Sequence, residues 1–123
     1  MVLGRAGIIA LLAITAATVE AGEDCGPIRQ ALTEIGKPNT AFILPAAREC
    51  YGNEASYTCV WVMASIGTAV SDFTSTARQI QACIPGSQMH IESDRRASIR
   101  GSSHNALMIR QGAEISIIFS KGD

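Results

Sequence analysis

Apolar and polar positions repeat with different periods along this chain, and each change of period marks a change of element. Ile28, Ala31, Leu32 and Ile35 fall at helical spacing. Cys25-Gly26-Pro27 opens that helix with a proline where its missing N–H costs nothing, and Gly36 with Pro38 ends it. Ala41-Phe42-Ile43-Leu44 reads as a strand stopped at Pro45, hence an edge strand or one broken in two. Gly52-Asn53 marks a turn. After it, Tyr57–Met63 is rich in β-branched and aromatic residues, and its apolar side chains occupy both parities, so both faces are at least partly covered.

From Gly67-Thr68 to about Cys83 the period returns to that of a helix. Val70, Phe73, Ala77, Ile80 and Ile84 form the core stripe, and Asp72, Ser75, Arg78 and Gln79 take the wet side. Pro85-Gly86 stops it. A β-meander follows over Gln88–Glu92, Ala97–Arg100, Ala106–Arg110 and Glu114–Ser120, with Gln111-Gly112 joining the last two segments as a hairpin. In the last of them Ile115, Ile117 and Phe119 share one face. The expected architecture is α+β: an antiparallel sheet of four to six strands with two helices packed on one face, in the order α-β-β-α-β-β-β with a possible further strand.

Residues 1–21 read as a signal peptide rather than as part of the fold. Arg5 supplies the positive start, Ala6–Ala17 the apolar run, and Val19-Glu20-Ala21 a small-residue cleavage site before Gly22; cuts after Ala16 or Ala17 are rivals. The uncharged run from Ala6 to Val19 is shorter than the ~20 residues of a bilayer span. Glu23-Asp24 directly before Cys25 argue against lipidation there, and Arg95-Arg96 lies too late to be a twin-arginine export signal. Residues 22–123 are then a single domain, periplasmic or secreted, with no transmembrane segment after cleavage.

Composition narrows the partners. Ten basic and eleven acidic side chains give a net charge of −1, which lacks the basic footprint of a nucleic-acid binder. The four cysteines, Cys25, Cys50, Cys59 and Cys83, suit two disulfides in an oxidising compartment. A tight hairpin about Gly52-Asn53 sets Cys50 and Cys59 four residues out of register, ~13 Å apart at ~3.3 Å per residue, too far to bridge. A wider loop centred on Glu54-Ala55 would instead bring them opposite. If the long helix retraces its strand, Cys83 returns to the level of Tyr57–Cys59. The expected pairs are therefore Cys59–Cys83 and Cys25–Cys50.

Catalytic signatures are sparse. The chain has no Gly-x-Ser-x-Gly elbow and no Cys-x-x-Cys pair, and Gly101-Ser102-Ser103 lacks the lysine and helix of a phosphate loop. His90, Glu92 and Asp94 alternate on one segment and His104 follows one loop later, enough ligands for zinc but in no known spacing. A solvent-facing strand edge with Met89 and Ile91 buried explains the same alternation. Arg95, Arg96, Arg100 and Arg110 form a basic cluster suited to an acidic partner, or simply a solvated face, without aromatics to stack bases. Trp61, the sole tryptophan, shares its parity with Tyr57 and Met63, as a cleft floor or as core. No cofactor is implied.

Leu44-Pro45-Ala46…Cys50, Tyr57-x-Cys59-x-Trp61 and Ala82-Cys83-Ile84-Pro85 together resemble a pattern in small exported bacterial proteins of unknown function. The resemblance covers about residues 42–86. It implies a shared exported strand–strand–helix core and no reaction, and it carries over no catalytic residue.

The leading expectation is an exported binding module that meets another protein, of the inhibitor or immunity type. The alternatives are a small metal-dependent or carboxylate-based hydrolase using His90, Glu92, Asp94 and His104, and an apolar-ligand carrier with a cavity lined by Trp61, Phe73 and Phe119.

Overall fold

A computed structural model describes residues 25–122. The signal-peptide reading of residues 1–21, and the Glu23-Asp24 pair, lie outside the described residues. The elements are α1 (Gly26–Thr33), β1 (Glu49–Gly52), β2 (Ser56–Val62), α2 (Ile66–Cys83), β3 (Gln88–Ser93), β4 (Arg96–Arg100), β5 (His104–Gln111) and β6 (Glu114–Lys121). The strands form one six-stranded sheet in the order β1-β2-β6-β5-β4-β3, each antiparallel to its neighbours. This is the expected α+β order with the further strand present.

Alternation explains how the sheet is lined. One row across it reads Tyr57, Phe119, Ala106, Ile99, Met89, and the next reads Cys59, Ile117, Met108, Ala97, Ile91. These residues belong to or pack against a single core cluster that also holds Ile28 and Ala31 of α1 and Phe73, Ala77 and Ile80 of α2. Both helices therefore lie on one face. Each strand sends every second residue to that face, and the remaining half points away from both helices. α2 starts where expected because Ser65, in extended conformation, accepts a 3.0 Å hydrogen bond from the Thr68 N–H. β2 is covered on both sides, as its mixed parity implies: Thr58 and Val60 are buried as well as Tyr57, Cys59 and Trp61.

The first strand differs from expectation. Ala41–Leu44 joins no ladder, and β1 begins at Glu49. Core aromatics take the carbonyls that a partner strand would have used. The Tyr57 hydroxyl donates to the Phe42 carbonyl (2.6 Å), and the Trp61 indole N–H donates to that of Pro45 (3.1 Å). Leu44 is fully buried beside them. A turn closes from the Ala47 N–H to the Leu44 carbonyl with Pro45 and Ala46 at its centre. Ala46 has φ +67°, the left-handed value demanded at the third position of a turn with flipped central peptide. The indole N–H binds the carbonyl of that flipped peptide, which accounts for an alanine holding a glycine conformation.

The disulfides also correct the expectation: they are Cys25–Cys83 and Cys50–Cys59. Two local facts decide this. Asn53 stands at the corner of its hairpin rather than the centre, because its side-chain oxygen accepts from the N–H groups of Ala55 (2.7 Å) and Ser56 (2.9 Å). The turn is thus centred on Glu54-Ala55, and Cys50 faces Cys59 with Cα atoms 4.1 Å apart. Nor does α2 retrace β2. It leaves β2 and delivers the chain to β3 on the opposite edge, packing over β3, β4, β5 and β6. Its end therefore lies far from Cys59 and next to α1, whose first residue follows Cys25.

Glu34, just past α1, is 6% exposed and accepts hydrogen bonds from the side chains of Thr40 and Gln30. The Thr40 hydroxyl above all, with Gln30 and Lys37, holds its carboxyl below the ordinary value despite the opposing cost of burial. Burial, with the Glu34 charge added, pushes the Tyr57 phenol up to about 12. A lowered carboxyl stabilises the fold above its unfolded pKa, and that contribution is lost as pH falls through the folded value. A raised phenol stabilises below its ordinary value near 10, and its contribution is lost as pH rises from there through about 12. Thermal midpoints followed against pH should show Glu34→Gln flattening the acid limb and Tyr57→Phe flattening the alkaline limb. Parallel curves for both variants and wild type would refute these assignments.

Candidate functional site

The face away from the helices carries the residues of opposite parity. One complete row runs His90, Ser98, Leu107, Ile118, Thr58, Tyr51, crossing all the strands of the sheet. The next runs Arg96, Ile109, Ser116, Val60, Glu49. Leu107 and Ile109 of β5 and Ile118 of β6 are half-buried, Val60 of β2 is buried at 5% exposure, and Tyr51 and Val62 are more than half exposed at 54% and 52%. An aliphatic centre with charged margins results. On the β1 side Arg48 lies 3.6 Å from Glu49 and 3.5 Å from Glu114. On the other side Arg96 lies 3.3 Å from Glu92, and Arg100 stands exposed in the same column of β4.

The four residues considered as metal ligands are not brought together. His90 and Glu92 share the outer face of β3, as expected from their alternation. Asp94 follows a register shift and sits in the turn to β4, where it accepts from Arg110. His104 opens β5 at the other end of the sheet, with the parity of Ala106 and so toward the helix side. Six residues of strand rise, ~20 Å, separate the levels of Gln88 and Asp94. Among the described residues no group of three or more His, Cys, Asp and Glu side chains is placed to hold a metal ion.

The basic cluster divides. Arg96 and Arg100 project outward, Arg95 sits in the β3–β4 turn, and Arg110 points to the helix side at 7% exposure. Burial of this guanidinium is compensated by three bonds, from Nε to the Asp94 carbonyl (2.8 Å), from Nη1 to the Gly112 carbonyl (2.7 Å) and from Nη2 to Asp94 Oδ1 (3.2 Å). It ties the β3–β4 and β5–β6 turns together. The sequence held the signal for this role: Ala106, Met108 and Arg110 alternate, so an inward Met108 requires an inward Arg110.

Trp61, Tyr57, Phe73 and Phe119 are core, each at 2% exposure or less. The clefts that open on the surface are lined by other residues. One of about 270 Å³ lies on the outer face among Arg96, Ser98, Arg100, Asn105 and Leu107. A larger one of about 580 Å³ lies at the end of the sheet beside Arg95, Arg96 and Arg110. No helix among the described residues is long and apolar enough to cross a membrane. Compared with known protein families, curated proteins and solved structures, the chain matches none.

Proposed function

We propose that this protein is an exported binding module, and that it recognises another protein through the outer face of its sheet. The carrying observation is that both helices pack on one side, leaving Leu107, Ile109 and Ile118 as a partly exposed aliphatic stripe on the other. An uncovered apolar patch with a charged margin is the usual character of a protein-recognition surface. Charge complementarity specifies the occupant. The β1 margin largely neutralises itself, whereas on the β3–β4 margin Arg95, Arg96 and Arg100 stand against Glu92 alone, since Asp94 is paired with the buried Arg110. The partner is a protein with an apolar patch bordered by acidic side chains. Two disulfides in a domain of this size support an oxidising compartment, periplasmic or secreted. Action by surface complementarity is the mode of inhibitors and immunity-type proteins.

The test compares wild type with Leu107→Glu/Ile118→Lys, a pair of opposite charges that disrupts the stripe while net charge stays constant. A partner captured from an envelope extract by wild type, then purified and titrated, should lose at least about tenfold in affinity for the variant, the scale of a central interface contact. Arg78→Gln, on the far side of α2, should bind as wild type does. Equal binding by wild type and the stripe variant would overturn the assignment of this face.

A further inference from the structure

The larger cleft has a different chemistry from the stripe. It opens between the Asp94-Arg95 turn, the Gly112-Ala113 turn and the first turn of α2, and the Arg110 N–H to Arg95 carbonyl bond (2.9 Å) joins the first two. Its charged walls are Arg95, Arg96 and Arg110 and its apolar walls Ile66 and Ile109; the carboxylate at its edge, Asp94, is engaged by Arg110 Nη2 (3.2 Å). A volume of about 580 Å³ falls within the roughly 300–1,000 Å³ of small-ligand sites.

Each arginine has a separate condition. Arg110 is held rigid by its three bonds, one at each nitrogen, which leaves two of the five guanidinium N–H groups uncommitted among the described residues. Arg96 is shared with Glu92. The Arg95 guanidinium has no ion-pair or hydrogen-bond partner among the described residues. The first turn of α2 contains no acidic residue, so its positive end adds to the field over the cleft. Ile66 at that helix start is 58% exposed, a large aliphatic side chain beside a concentration of positive charge.

We infer that this cleft binds an organic anion: a carboxylate on a compact aliphatic body. The carboxylate meets the planar donors of Arg95 and Arg110, whose geometry suits paired oxygens, while the body lies against Ile66 and Ile109. Such a group occurs at a peptide C-terminus with an aliphatic last residue, or in a free aliphatic acid. The cleft shares Arg96 and Ile109 with the outer face, but the inference stands on its own walls and does not require the protein partner.

The test titrates the isotope-labelled, disulfide-intact protein with three probes and follows backbone amide shifts. The probes are hexanoate, N-acetyl-alanyl-leucine and the C-terminal amide of the same dipeptide. Both acids should shift Ile66, Gln111 and Gly112 saturably, and the amide should leave them in place. Arg95→Gln, an exposed turn position that leaves the fold intact, should weaken acid binding about tenfold, the scale of one charge-assisted hydrogen bond. Tighter binding of the dipeptide than of hexanoate identifies a peptide C-terminus as the ligand; the reverse identifies a free acid. The inference is overturned if acid and amide titrate alike, if no saturable shift reaches these residues, or if Arg95→Gln binds like wild type. Loss of partner binding in the Leu107→Glu/Ile118→Lys protein with acid binding retained separates the two sites.

Discussion

Cys25→Ser/Cys83→Ser should cost this domain about 4 kcal/mol, more than the loss of the other bridge. In the chain-entropy account a crosslink stabilises by restricting the unfolded chain, and the restriction grows with the loop it closes. Cys25 and Cys83 are 58 residues apart, which gives about 4 kcal/mol; Cys50 and Cys59 are 9 apart, which gives about 2.6 kcal/mol. Native packing acts in the same direction. Cys25 and Cys83 are each 3% exposed and link α1 to the end of α2, whereas Cys50 is half-buried on a short edge strand whose partner already holds it. Small domains have only about 5–15 kcal/mol in total, so the long-loop variant should be near its unfolding threshold at moderate temperature. Urea unfolding of the two serine pairs gives the comparison, and non-reducing peptide mapping confirms which bridges are intact. A larger loss from Cys50→Ser/Cys59→Ser would contradict the loop-length argument.

Trp61→Ala should cost about 3–5 kcal/mol, the range for emptying a large aromatic site in a packed core. Trp61 is 2% exposed and faces Ile115 across the ladder. Its removal leaves a void between β2 and the 41–47 segment and frees the Pro45 carbonyl. Trp61→Phe fills much of that space but strands the same carbonyl, so about 1–3 kcal/mol of its loss reports the missing donor alone. Val62→Ala, on the opposite face of the same strand at 52% exposure, should stay within about 0.5 kcal/mol. Because Trp61 is the only tryptophan, circular dichroism rather than fluorescence has to follow these transitions. If Trp61→Phe matched wild type, the indole N–H would have no role in holding the turn.

Periodicity made most of the fold legible. The stripe through Phe73, Ala77 and Ile80 and the alternation of Ile115, Ile117 and Phe119 each follow from burial on one face, a property the sequence records directly. What it does not record is competition for hydrogen-bond partners. Phe42 and Leu44 have strand-like side chains, but Tyr57 and Trp61 claim the backbone around them. Asn53 reads as a turn residue in either hairpin register, and only its bonds to Ala55 and Ser56 choose between them. That one choice carried the cysteine pairing with it. At the candidate sites the sequence grouped the four arginines, whereas the fold divides them between faces according to parity relative to Met108. The outer stripe was the least visible feature, because an apolar residue facing solvent has the same letter as one facing a helix.

The place of β6 sets the order in which this protein can assemble. Glu114–Lys121 lies inside the sheet between β2 and β5, so it joins the hairpin at one end of the sheet to the meander at the other. A chain that emerges N-terminus first holds β1–β2 with one side unpaired until these last strand residues arrive. The Cys50–Cys59 bridge needs only its own hairpin and can form early; the row from Tyr57 through Phe119 to Ala106 cannot close until then. Closure of the sheet is therefore late: the two halves stay separate until β6 fills the gap between β2 and β5.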